Sequence, residues 1–115
     1  MKLRRGDVVL VLFPDSNLRT AKRRPALVVQ ADMLSAGLPQ TIVAMISSNM
    51  ARAGHLSRVA VRSGTETARQ SGLLMDSVIM TDNLATIHHS EIDRLIGHLP
   101  ETNEIDAALR TTLAL

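Results

Sequence analysis

A lysine and two arginines, Lys22, Arg23 and Arg24, run directly into Pro25 and the apolar stretch "ALVVQ". Proline biases the residue before it toward an extended backbone, so Arg24 would project from a fixed base. A guanidinium held in this way offers paired donors to phosphate oxygens. It could stabilise the extra negative charge of a pentavalent phosphorane. The same cations could instead meet only water at a solvated turn, and charge alone does not separate the two readings. A second group follows at the end of another apolar stretch, where "ISSN" presents Ser47, Ser48 and Asn49. Their polar groups could donate to a phosphate, or close a strand end by local hydrogen bonds. No strand-turn-helix motif surrounds either serine, so a serine hydrolase is poorly supported.

Other chemistries find less material. The four histidines are His55, His88, His89 and His98, and there is no cysteine. None of the histidines has the spacing of a helical two-histidine metal site, and no glycine-rich phosphate loop exists. No metal or cofactor is expected. His88 and His89 are adjacent, so on a strand they face opposite ways and cannot serve one phosphate as an acid–base pair.

The elements that must position these groups are short strands. "VVLVLF" (8–13) is a continuous β-branched apolar run, read as a buried strand, and "ALVVQ" (26–30) is a second. Between them, residues 14–25 open and close with proline and read as a long exposed loop. Residues 31–40 form a connection with room for a helical turn. "TIVAMIS" (41–47) reads as a third strand and "LSRVAVR" (56–62) as a half-exposed one, with Val59 and Val61 on one face. Residues 63–72 read as a turn-rich connection. Strands follow at 73–80 and 84–88, then a helical turn over 90–95 with Ser90 as its cap, then a short strand at 96–99. From Glu101 the spacing turns helical, with Ile105, Ala108, Leu109 and Leu113 forming one stripe. Strands joined by short loops, closed by a C-terminal helix, predict a mainly antiparallel, strongly bent sheet or small barrel.

The 115 residues suit one domain spanning 1–115. No apolar run reaches the roughly 18 residues of a membrane span, and no membrane partner is expected. The N-terminal apolar run is broken by Gly6 and Asp7 and lacks a small-residue cleavage site, which argues against a signal peptide. Cytoplasmic residence is the expectation. Phe13 is the one aromatic residue, which disfavours recognition by aromatic stacking but not binding led by phosphate contacts. The net charge of +2 is unevenly spread: residues 1–62 carry +7 and residues 63–115 carry −5. Kept apart in space, the halves would make a basic surface that attracts polyanions; interleaved by folding, they would not.

Taken in order, "RGDVVLVLF" (5–13), "KRRPALVVQ" (22–30), "TIVAMISSN" (41–49) and "SGLLMDSVIMTDNLATIHHSEIDRLIGHL" (71–99) resemble the MazF/PemK family of toxin endoribonucleases. Each piece is weak by itself, but the ordered set covers nearly the whole chain. The resemblance implies an SH3-like β-barrel with accessory helices, and a homodimer. It implies metal-independent cleavage of single-stranded RNA, with the RNA's own 2′-hydroxyl attacking phosphorus to leave a 2′,3′-cyclic phosphate and a 5′-hydroxyl. Growth inhibition and neutralisation by a cognate antitoxin follow from it, with DNA engaged only indirectly through an antitoxin complex.

Carried onto this chain, the resemblance makes Arg24 and Ser47 the catalytic pair, with threonine in place of Ser47 in many relatives and Ser48 as the neighbouring alternative. Lys22, Arg23, Ser48, Asn49 and Arg19 are then candidate RNA-binding residues. The loop 14–23 lacks the glycine that many relatives have near the Arg-Pro pair. A gyrase poison of the CcdB type, acting through "EIDAALRTTLAL", and a non-catalytic nucleic-acid-binding barrel are the competing readings.

Overall fold

The apolar runs do form the core strands, in a computed structural model that describes residues 2–14, 21–34 and 37–115. The order is β1 (Asp7–Pro14), β2 (Ala21–Val28), β3 (Gln40–Ser47), β4 (Arg58–Val61), α1 (Glu66–Ser71), β5 (Ser77–His88), β6 (Ile92–His98) and α2 (Asn103–Leu113). Short 3-10 turns lie at Asp32–Leu34 and His89–Glu91. All strand pairs are antiparallel, in one six-stranded sheet ordered β4-β5-β3-β2-β1-β6.

Both faces of the sheet are covered, which explains why β1 and β2 read as unbroken apolar runs rather than alternating ones. On one face Val8, Leu27, Ala44, Ile46 and Ile79 pack with Ala68 of α1 and with Ile105 and Ala108 of α2. On the other, Val9, Val11, Ala26, Val28, Val43 and Met45 gather with Ile87 and Ile92. That second cluster is enclosed by the sheet itself. Only the turn His89–Glu91 separates β5 from β6, so the chain joins the two sides of the curled sheet there without a β5–β6 ladder. The expected strongly bent antiparallel sheet with a C-terminal helix is what forms.

Several boundaries differ from the sequence reading. The basic residues placed in the loop 14–25 are already in β2: Lys22, Arg23 and Arg24 pair with Phe13, Leu12 and Val11. The ladder to β3 starts only at Ala26, leaving one flank of Pro25 open, where a strand tolerates a residue without N–H. The expected strands 73–80 and 84–88 merge into one strand, β5, which starts only at Ser77 and leaves residues 73–76 outside it. Met45 opposes Met80 and Ala44 opposes Leu84, so Thr81–Asn83 are looped out as a bulge, and its polar Asp82 and Asn83 had read as a gap. The connection 63–72 contains α1, capped by Thr65, whose hydroxyl accepts from the Ala68 N–H at 3.1 Å. Ser90 caps no helix. His88 caps the short turn instead, accepting from Ser90 N–H at 3.1 Å while Glu91 accepts from His88 N–H at 2.9 Å. Residues 92–95 then join β6, so Arg94 stands on a strand.

The Arg-Gly-Asp entry to β1 is a structural clasp. Asp7, nearly fully buried, accepts from Arg4 N–H at 2.8 Å and lies 2.7 Å from His98 Nδ1. Arg5 donates to the Val29 carbonyl and pairs with Asp106 of α2 at 2.7 Å. Charge from the two halves is largely interleaved by such pairs: Arg5–Asp106, Arg23–Asp93, Arg58–Asp82 and Arg62–Asp76 each join a first-half cation to a second-half carboxylate.

Candidate functional site

The ends of β2 and β3 bring the predicted residues into one neighbourhood. The β2–β3 ladder pairs Ala26 with Met45, and continuing that register two residues sets Arg24 opposite Ser47. Alternation along each strand puts both on the face that carries Ala26 and Met45. The unshifted β1–β2 register, which runs through Pro25, agrees: Arg24 opposes Val11, a member of that face's cluster.

Ser47 and Ser48 open onto different hollows. A cleft of about 430 Å³ is lined by Arg23, Arg24, Ser48 and Arg94, with Leu10, Ile46 and the segment Gly72–Met75 among its apolar walls. Ser47 lines an adjoining depression of about 290 Å³ with Asn49, Arg52, Arg58 and Met80. Arg24 therefore shares a cleft with Ser48 and a sheet face with Ser47.

The Ser47 hydroxyl has a defined orientation. Its Oγ accepts from Asn49 N–H at 3.0 Å, which leaves its own proton free to donate outward. Asn49 Oδ1 in turn accepts from Ala51 N–H at 3.1 Å. Asn49, expected as an RNA contact, thus shapes the turn that holds Ser47. Ser48 and Lys22 are exposed. Arg24 is exposed too, and among the described residues it forms no ion pair. Arg23 differs: its Nε lies 3.1 Å from Asp93 on β6, so much of its charge is met within the chain. Arg19 lies outside the described residues.

Three contributors were not read from the sequence. Arg94 reaches the cleft because residues 92–95 are strand, not helix. Arg52 lines the Ser47 depression, and its position at a loop tip left no motif to signal it. Arg58, mostly buried, donates to Asp82 at 3.0 Å, and its hydrogen bond holds the Asp82 carboxyl below the usual carboxylate range. Its Nε lies 2.8 Å from the other oxygen but off the hydrogen-bond axis, leaving that N–H without a hydrogen-bond partner. Among the described residues no group of three or more His, Asp or Glu side chains could hold a metal ion. Among the described residues no helix is long and apolar enough to cross a membrane.

Residues 4–113 match the family model described as PemK-like, MazF-like toxin of type II toxin-antitoxin system. The chain belongs to this toxin family. Similar curated proteins include Endoribonuclease MazF6 of Mycobacterium tuberculosis, 34% identical over 107 residues and covering 90% of each chain. Endoribonuclease EndoA of Bacillus subtilis is 31% identical over 118 residues, covering 100% of this chain and 97% of its own. Among solved structures, a mycobacterial endoribonuclease in complex with its cognate antitoxin superposes with a TM-score of 0.76 at 22% identity, over 98% of this chain and 96% of that one. A MazE–MazF structure from Deinococcus radiodurans gives 0.76 at 18% identity, over 100% and 99%. At such identities these structures establish the shared fold.

Proposed function

We propose that this chain is an endoribonuclease toxin that cleaves single-stranded RNA at short sequence motifs without a metal ion. What supports the reading most directly is the β2–β3 register, which, continued two residues past Ala26 and Met45, brings Arg24 toward Ser47, within a chain of this family. The RNA's 2′-hydroxyl attacks the adjacent phosphorus as its proton departs. The P–O5′ bond breaks, and the 5′ oxygen takes up a proton. A 2′,3′-cyclic phosphate and a 5′-hydroxyl result. The substrate supplies the nucleophile, so the protein's task is to hold the phosphate and stabilise its added charge.

Arg24 carries that stabilisation. With a pKa above about 12 it is a poor base, so its role is electrostatic. Ser47 donates its free proton to a non-bridging oxygen. Ser48 is the second reading, favoured by its place in the cleft that Arg24 lines. The chain acts in the cytoplasm as a single-domain homodimer. A cognate antitoxin neutralises it, as the complexed relatives suggest, and DNA is reached only through that complex.

The test is purified protein with varied single-stranded RNA in EDTA, beside Arg24→Ala, Ser47→Ala and Ser48→Ala. The expected result is cleavage that leaves cyclic phosphate ends. Loss of either true partner should lower kcat by about 10²–10³-fold, the usual effect of removing one preorganised donor. Intact RNA across many sequences, or gyrase-dependent DNA breaks without RNA cleavage, would overturn the reading.

A further inference from the structure

The cleft beside Arg24 has an unusual wall. Leu74 is 96% exposed and Met75 58% exposed, adjacent on the segment between α1 and β5. Two adjacent apolar side chains left this open beside a lined hollow offer a contact surface there. The same hollow is lined by Arg23, Arg24 and Arg94. Arg94 lies at the edge of ion-pair range, 4.0 Å from the Asp93 carboxylate, which Arg23 approaches more closely. The lining therefore combines bare apolar side chains with cationic ones. A nucleotide has this same division: a flat, weakly polar base and an anionic phosphate. The hollow, at about 430 Å³, has room for one.

We propose that this cleft is a base-binding subsite. An unpaired base of the RNA lies against Leu74 and Met75, while its phosphate is met by Arg94 and Arg24. The inference rests on the RNA-cleaving reading and adds a specificity device to it. Stacking on an aromatic ring is the common way to hold an unpaired base. This chain has one aromatic residue, Phe13. A polarisable thioether and an isobutyl group provide a flat apolar contact in its place. Arg94, extended from β6, would also face the edge of a base resting there, so base preference at one position should depend on it.

The proposal can be tested apart from catalysis. The four nucleoside 5′-monophosphates and ribose 5-phosphate are titrated into the protein, and the Leu and Met methyl signals are followed by NMR. At least one nucleotide should shift Leu74 and Met75 methyls and bind roughly 10-fold more tightly than ribose 5-phosphate, a gain on the scale of one modest base contact. The double variant Leu74→Ser with Met75→Ser should erase that difference while keeping the phosphate-dependent part. Arg94→Gln should weaken every phosphate-bearing probe, ribose 5-phosphate included. In mapped cleavage products, the same variants should relax the base preference at one position next to the cut. Nucleotides that bind no better than ribose 5-phosphate would overturn the subsite. So would methyl shifts that follow only protein concentration or an added apolar peptide. If nucleotides bind as described but the wild type cleaves no RNA, the subsite stands and the ribonuclease reading fails.

Discussion

Gly97→Ala should unfold the wall that seats the cleft. A Cβ built at Gly97 would lie 2.3 Å from the backbone carbon and oxygen of Ser71 and 2.4 Å from the Gln70 carbonyl oxygen. Ordinary contact begins near 3.4 Å, so α1 and β6 must part by about 1 Å. The obstacle is helix backbone and not a flexible side chain, so no rotamer change relieves it. Overpacking of this kind typically costs about 1–3 kcal/mol, and the backbone contact places Gly97→Ala at the upper end, near 3 kcal/mol or roughly a 10 °C fall in Tm. Gly72 faces the same contact from the other side: its Cβ would lie 2.2 Å from the Ile96 carbonyl oxygen, and its φ of +78 caps α1. The segment Gly72–Met75 that walls the cleft hangs from this seat. The control is Gly64→Ala, where φ is +84 but nothing lies within 4 Å. It tests backbone strain alone and should cost only about 1 kcal/mol. With no Trp or Tyr, unfolding in urea is followed by far-UV circular dichroism. A Gly97→Ala midpoint within error of wild type, or a larger loss at Gly64 than at Gly97, would refute the close-packing argument.

Asn49→Ala should lower kcat while KM changes little, because it frees the turn that holds Ser47 without removing a phosphate contact; steady-state kinetics separates the two, and Asn49→Asp, which keeps the acceptor, should restore much of kcat. Glu66, held down to about 2 first by its hydrogen bond from Arg69 and then by one from Gln70, should titrate near there by carboxyl NMR. Its folded pKa is depressed, so whatever it adds to stability is present above its ordinary 4.5 and fades as pH falls from there through about 2. Glu66→Gln should remove that acid-side slope in urea melts taken across the same range. Asp82→Asn leaves the mostly buried Arg58 without its carboxylate and should cost about 1–2 kcal/mol in the same melts, a value reduced by the partial exposure of the pair.

How much of this was legible beforehand varied by residue. The apolar runs announced β1, β2 and β3 because strands buried on both faces need no alternation to be recognised. The stripe Ile105, Ala108 and Leu109 announced α2, whereas Leu113 in the same stripe stayed exposed at the helix's last turn. Arg24 and the Ser47–Ser48 pair stood out by residue type and by neighbours in sequence. Arg94 did not, since "SEIDRL" carries a plausible cap and one helical turn, and a ladder to β1 outweighed both. The basic stretch read as loop for a similar reason: its strand pairing is supplied entirely by β1, eleven or more residues back from Arg23 and Arg24.

The sequence by itself determined the local facts: which stretches must be buried, where a proline pins an arginine, and which ordered motifs mark the toxin family. Only the tertiary structure decided that Arg24 shares a sheet face with Ser47 yet lines a cleft with Ser48. It alone decided that Arg23 is matched by Asp93, and that Leu74 and Met75 are left bare beside Arg94. These are matters of strand register and of one glycine seat between α1 and β6. Register is set by pairing between residues far apart in the chain, and a shift of one residue would turn every side chain on β3 to the opposite face.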